Sequence, residues 1–574
     1  MDASIVIISL PAIFRGIGLD PLAAGNIGYL LWMILGYLLV SAVLVVVLGR
    51  LGDMFGRVRI YNLGFLIFAC ASVALSLDPF RAGAGALWLI LWRIVQAFGG
   101  SMLTANSAAI LTDAFPARQR GMALGINQMT ALAGQFLGLL AGGLLAAVDW
   151  RAVFWVSVPV SITGTVWSYL SLRETASGRR GRVDWLGNLT FACGAGILLA
   201  GITYGIQPYG GSATGWGNPW VLTGLFGGLF LLLVFCLVET RPRVLGFARA
   251  AGTRAVEPMF RLSLFRVRAF AAGNLAVLLT AIARGGLQFM LIIWLQGIWL
   301  PLRGYDFADT PLWAGIFMLP LTVGFLIAGP VSGYLSDRFG ARLFATAGLV
   351  LVAGSFLGLL ALPVNFDYAT FAALLLLNGL GQGMFSAPNT SSIMGSVPAE
   401  YRGVASGMRS TFQNSGTALS IGVFFSLMVS GLASSLPAAL SGGLQAHGVP
   451  AASAEQASSL PPVSTLFATF LGNNPVGHLL GSSGVLDQLT AAQRATLTGH
   501  TFFPQLVSGP FHHGLTVVFG VAAVMALVAA LASALRGRHE PRDGRLPKNG
   551  PAADSHPERP AGAGPAARAD RPLH

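Results

Sequence analysis

GRLGDMFGRVR at residues 49–59 returns, altered but recognisable, as GYLSDRFGARL at 333–343, an offset of 284. Downstream, PARQRGMALG at 116–125 matches PAEYRGVASG at 398–407, an offset of 282. Two matches at nearly one spacing mean two homologous halves in the same orientation, one of the architectures in which a site forms between repeats.

What surrounds the repeats sets the class. Of 574 residues, 54% are hydrophobic and 10% charged, and 74 are glycine; a soluble chain carries about 25% charged residues. Apolar stretches recur near 2–14, 27–48, 60–77, 87–111, 122–148, 153–172, 186–206, 219–239, 269–299, 311–332, 343–362, 370–394, 404–432 and 513–535. Most reach the ~20 residues a helix needs to cross a bilayer. The expected fold is an all-α polytopic membrane protein. It has two six-helix bundles in parallel pseudo-repeat plus a central inserted helix pair, 14 spans with the first truncated. The domains are 1–172, an insertion at 173–268, and 269–535 with an extracellular loop at 433–512. A Pro-, Ala- and Arg-rich tail at 536–574 reads as disordered.

Arginine placement tests that count. Loops after even-numbered spans, together with the tail, hold 28 basic residues; the opposite loops hold five, Arg15, Arg81, Arg151, Arg303 and Arg494. The bias puts the even-span loops and the C-terminus in the cytoplasm, and the chain in the cytoplasmic membrane. The net charge of +13 therefore belongs to short loops and the tail, and nucleic acid is excluded as a partner. Cys70, Cys193 and Cys236 fall inside apolar runs and read as thiols buried at helix interfaces. No Gly-rich phosphate loop, metal-ligand spacing or nucleophile elbow occurs, so no enzyme, cofactor or metal is expected.

Polar residues inside spans are the candidate machinery, because each is costly there. Arg93, in LWRIVQAFGG, costs at least about 2.5–3.5 kcal/mol unless it meets a cavity, a partner acid or the outer interface; Gln96 shares its face. Arg284 lies mid-span with Gln288 one turn on, and Gly285 and Gly286 beside it leave room for a bend or break. That pair is expected to line a central cavity favouring an acidic or zwitterionic substrate or a lipid headgroup, with satisfaction by nearby carbonyls as the competing reading. Asn106, Gln128 and Asn389 are further cavity candidates, with Gln135, Gln413 and Asn414 weaker ones. In AGQFLGLLAGG, Gly134, Gly138 and Gly142 recur every four residues, with Gly143 adjacent, and suit close helix packing. In the repeated loop, Gly49 and Gly56 permit a tight turn. Asp53 stands four before Arg57, in range to pair with it or to cap a helix. The second copy keeps Gly333, Asp337 and Gly340 but has Ala341 in place of arginine.

These motifs, in this order over nearly the whole chain, resemble the major facilitator superfamily, and within it the 14-span drug:proton antiporter branch. The resemblance implies that Gly49, Asp53, Gly56, Arg57, Gly333, Asp337 and Gly340 form cytoplasmic conformational latches. It implies that Arg93 belongs to proton-coupling machinery, and that Gly134, Gly138, Gly142 and Gly143 form the antiporter-motif helix, although the family's proline there is Leu139. DASIVIISLPAI at 2–13 resembles the first-span motif, whose acid lies well inside the helix. The chain thus reads as starting part-way through span 1, with Asp2, the proton-coupling acid, left near water beside the amino terminus. The implied function is export of amphipathic small molecules by proton antiport and alternating access. The alternatives are export of a lipid or cell-envelope metabolite, and a sensor or scaffold that transports nothing. The expected partners are a small-molecule substrate, protons and membrane lipids, with the chain acting as a monomer.

Overall fold

Hydrocarbon offers no hydrogen-bond partner, so a spanning backbone must satisfy itself, and among the described residues it does so as helices alone. The computed structural model describes residues 2–19, 26–115, 120–174, 185–240, 260–398, 401–472, 474–482 and 484–536. The first half holds α1 (Asp2–Ile17), α2 (Asn26–Phe55), α3 (Arg57–Ser76), α4 (Ala82–Ala114), α5 (Arg120–Val148), the single turn α6 (Ala152–Trp155) and α7 (Ser157–Ser171). An inserted pair follows, α8 (Trp185–Gly205) and α9 (Pro219–Thr240). The second half opens with α10 (Arg268–Trp294), which passes through a π-turn at Leu295–Trp299 into α11 (Leu300–Leu302). It continues with α12 (Thr310–Phe317), α13 (Leu319–Phe339), α14 (Ala341–Leu360), α15 (Tyr368–Gly395) and α16 (Arg402–Ala446). Four short helices, α17 (Ala451–Ser458), α18 (Pro462–Leu471), α19 (Pro475–Ser482) and α20 (Ala491–Thr498), lead to α21 (Phe502–Ala534).

The repeat seen in the sequence is a repeat of packing. In the first half α4 packs on α2 and α3, α5 on α1, and α7 on α3; in the second, α15 packs on α13 and α14, α16 on α10, and α21 on α14. Glycines make the same approaches twice. A Cβ on Gly64 would stand 3.0 Å from the Gly99 carbonyl oxygen, and one on Gly348 would stand 2.5 Å from that of Gly381. The repeated loop also turns identically. Gly56 (φ 104°) and Gly340 (φ 89°) each break the chain between two helices in a conformation essentially closed to other residues. The halves meet where α2 packs on α16 and where α5 packs on α12 and α13, and α8 leans on both α2 and α16.

Three expectations change. Among the described residues 12 helices, not 14, are long and apolar enough to cross a membrane. Spans 1 and 5 are present as α1 and α5, but their apolar stretches, Ser4–Ile17 and Ala133–Val148, fall short of that length. Residues 433–512, read as an extracellular loop, are largely helical: α16 continues to Ala446, and Val463–Leu471 of α18 are buried against α1, α2, α16, α21 and the π-turn. Ser-, Ala- and Pro-rich composition hid the apolar face of VSTLFATFL, where Phe467 stacks on Phe425 at 5.1 Å. The cysteines do not lie buried at interfaces: Cys70 and Cys193 are exposed on the bundle surface and Cys236 is half-buried. The tail read as disordered lies, beyond Arg536, outside the described residues.

Gly340→Ala is expected to cost about 1–3 kcal/mol, read as a lower thermal unfolding midpoint of the purified chain. Gly354→Ala, within α14 with nothing inside 4 Å, is expected to be neutral or stabilising by up to about 1 kcal/mol. Equal midpoints for the two variants would remove the special role of the turn.

Candidate functional site

Two polar clusters interrupt the apolar interior. The first lies within the first half. Asp2, at the start of α1, is 9% exposed and forms an ion pair with Arg93 of α4, itself 2% exposed. Gln96, one turn along α4, accepts from the Arg93 guanidinium at 2.7 Å. Its Nε2 donates to Asp2 Oδ1 at 3.0 Å and to Ser72 Oγ at 2.9 Å. The Tyr37 ring of α2 covers the guanidinium, 4.3 Å from its centroid. Arg93 has therefore met a partner acid rather than the outer interface. Asp2 is buried, not near water as expected, because α1 packs along α5 and its first residue pairs with Arg93 of α4. The repeat keeps only the scaffold of this cluster: Asn378 donates to Ser355 Oγ at 2.6 Å, as Gln96 does to Ser72, but Leu375 stands 282 residues after Arg93.

The second cluster joins the halves. Arg284 Nη2 of α10 donates to Gln135 Oε1 of α5 at 3.0 Å, and Gln135 Nε2 donates to Gln288 Oε1 at 2.7 Å. These three side chains line a cavity of about 40 Å³ with Leu139, Phe325 and Gln382. That volume admits a water or two and no drug, so the halves are drawn together here. Toward the end of the bundle holding Ile17, Gln296 of the π-turn donates to the Ile8 carbonyl at 3.4 Å, and Gly143 sits against Leu312 of α12. Gly285 and Gly286 do not break α10. They leave no room for a Cβ against Ser420 and Phe424 of α16, and the helix is perturbed later, at the π-turn.

Of the positions expected in the cavity, Arg284 and Gln288 are there. Gln96 belongs to the first cluster instead. Asn106 bonds back to the Met102 carbonyl and fills the space over Gly52 in the repeated loop. Asn389 donates to the Gly273 carbonyl at 3.3 Å and accepts from Arg536, which follows α21. Burial pushes the Arg536 guanidinium down to about 10. The Gln128 side chain lies outside the described residues. Gln135, weak in the sequence, bridges the halves; its place one residue after Gly134 on the small-residue helix was the available signal.

Gly142 packs on Ile5 and Ile8 of α1 and Gly143 on α12, while a Cβ on Gly134 would meet nothing within 4 Å and Gly138 is buried. In the repeated loop, Gly49 approaches Ala105 of α4, as Gly333 approaches Ala387 of α15. Helix α3 is capped by Glu174, an acid the sequence reading overlooked in a basic loop. Its carboxylate accepts from the Arg57 and Val58 amides at 3.1 Å and from Arg59 at 3.4 Å. Arg57 Nη1 reaches the Ala109 carbonyl of α4 at 3.5 Å. The Asp53 and Asp337 side chains lie outside the described residues. Among the described residues no group of three His, Cys, Asp or Glu could hold a metal.

The model of the Major Facilitator Superfamily matches this chain twice, over residues 1–189 and 186–421. The chain belongs to the Major Facilitator Superfamily. It is a multi-pass membrane transporter of small molecules, and the inter-half cavity is where its fold brings polar groups of both halves together. A tetracenomycin C resistance and export protein of Streptomyces glaucescens is 27% identical over 96% of this chain and 91% of its own length. Multidrug resistance protein Stp of Mycobacterium tuberculosis is 30% identical over 76% of this chain and 74% of its own. A bacterial homologue of the human lysosomal transporter Spinster, solved inward-facing and occupied, aligns with a TM-score of 0.49 at 17% identity, covering 94% of this chain and 95% of its own.

Removing one member of the buried pair strands the other. Asp2→Asn is expected to destabilise the folded chain by about 3–5 kcal/mol. Asp2→Asn combined with Arg93→Gln is expected to recover most of that, because a neutral set of amides needs no counter-charge. Thermal unfolding of the single and double variants checks this.

Proposed function

We propose that the chain exports amphipathic small molecules from the cytoplasm by alternating access, driven by proton entry. The observation that carries this reading is the buried Asp2–Arg93–Gln96 cluster in one half, beside a separate polar cavity that the two halves line together. A proton taken up by the Asp2 carboxylate removes the counter-charge of Arg93 and loosens α1 from α4. The Tyr37 ring, already over the guanidinium, holds the cation while Asp2 is neutral. Loss of the proton on the other side of the membrane restores the pair and resets the cycle. The halves rock apart by breaking the Gln135–Gln288 bridge, while the two repeated loops latch and unlatch the cytoplasmic ends through Gly49, Asp53, Gly56 and Arg57 and through Gly333, Asp337 and Gly340.

The relatives named for drug export and multidrug resistance support the efflux direction and a drug-like cargo. The arginine bias supports a cytoplasmic-membrane location with the C-terminus in the cytoplasm. The chain works as a monomer, each half supplying one wall of the path, with residues 1–172 and 269–535 as the moving bodies. Export of a lipid or cell-envelope metabolite is the second reading, favoured by the cation in the cavity.

Inside-out membrane vesicles energised with a proton gradient and offered a panel of amphipathic dyes test the proposal. The wild-type chain is expected to accumulate dye, and a proton ionophore or Arg93→Ala to abolish accumulation. Accumulation that survives the ionophore would exclude proton coupling. Failure of the wild type to move any dye would exclude drug export.

A further inference from the structure

The cavity between the halves holds a cation and no acid. Arg284 is the one charged side chain among its lining residues, and its described hydrogen-bond partner is the neutral Gln135. The Phe325 ring lies 5.6 Å from its guanidinium carbon. Among the described residues the buried aspartates are engaged elsewhere: Asp2 pairs with Arg93, and Asp78 accepts from the Phe80 amide in the turn after α3. Glu174 caps α3 and Glu239 accepts from the Phe260 amide, both away from the cavity. An intramembrane guanidinium without a counter-charge is expensive, and a transporter gains from that expense when the cargo supplies the missing charge. Around the cation, Leu139, Met318, Leu321 and Phe325 offer apolar walls, and Gln288 and Gln382 offer amides.

We propose that this cavity selects amphipathic organic anions, which bind Arg284 in place of Gln135. The inference rests on the reading of the cavity as the transport site. It adds a coupling between cargo and motion. Gln135 spends its Oε1 on Arg284 and its Nε2 on Gln288, so one side chain of α5 is fastened to two of α10. An anionic oxygen makes a stronger, charge-assisted bond to the guanidinium than an amide oxygen does. It therefore displaces Gln135 and weakens the bridge that holds the halves together. A cationic cargo makes no such exchange and is repelled.

The test is direct binding to the purified full chain in detergent, followed by fluorescence anisotropy with two dyes of similar ring system, anionic fluorescein and cationic rhodamine 6G. The wild type is expected to prefer fluorescein by about tenfold or more, the scale of one charge-assisted bond. Arg284→Gln is expected to erase that preference, Arg284→Lys to retain most of it, and Gln135→Ala to tighten fluorescein binding by removing its competitor. A merely structural Arg284 would lower the affinity for both dyes alike in both arginine variants. That result, or a wild type that binds fluorescein no better than rhodamine 6G, overturns the proposal. Phosphatidylglycerol and a water-soluble organic anion present the same chemistry. Displacement of fluorescein by phosphatidylglycerol but not phosphatidylcholine assigns a lipid cargo, and displacement by neither assigns a soluble one; both support the anion site. Rhodamine 6G export in vesicles, unchanged by Arg284→Gln, would overturn this inference and leave export standing. Arg284-dependent fluorescein binding by a chain that exports nothing would do the reverse.

Discussion

Hydrocarbon solvates neither a peptide group nor a charge, and every feature of this chain answers to that. The backbone closes its own hydrogen bonds as helices. Side chains have no such recourse, so each buried polar group must find a partner within the protein. Ser and Thr hydroxyls return to carbonyls one turn back, as Ser101 does to Ala97. Asn106 does the same with Met102. Charges cannot be absorbed so locally, and they bring distant parts of the chain together: Asp2 and Arg93 are 91 residues apart, and Gln135 and Arg284 are 149 apart.

The same constraint explains why a symmetric scaffold carries asymmetric chemistry. Helix approach is governed by glycine spacing, and both halves keep it, down to the paired contacts of Gly64 with Gly99 and Gly348 with Gly381. Charge placement is not needed for that packing and is free to differ. The first half buries an ion pair; at the corresponding place the second half has Leu375, fully buried. The second half instead exposes Arg284 to the cavity, and where its repeated loop lacks an arginine, Arg536 from beyond the last helix reaches α15 at Asn389. The first half thus pairs its interior arginine with an acid, whereas the second leaves Arg284 bonded to an amide.

Much of this was legible in advance. Class, helix positions and the two-half organisation follow from local properties: the length of apolar stretches, the repeat of GRLGDMFGRVR and the alternation of arginines. Arg93 and Arg284 stood out because a lone cation in an apolar run has a cost that any fold must meet. The helices within 433–512 were illegible because Ser, Ala and Pro suit a linker as well as a short helix, and only the groove formed by α1, α2, α16 and α21 selects the second. Asn106 and Asn389 looked like cavity residues because an amide in a span shows its cost but not its partner.

By itself the sequence determined that the chain crosses a membrane many times, in two like halves, with a few charges that require partners. That much is set by hydropathy and spacing along one dimension. Which charge meets which was decided only by the tertiary structure. Asp2 is buried because α1 lies against α4, Glu174 is a cap because α7 ends beside α3, and Gln135 is a bridge because α5 of one half faces α10 of the other. Those pairings span 91, 117 and 153 residues, far beyond any periodicity, and they exist because helix packing brings the partners together.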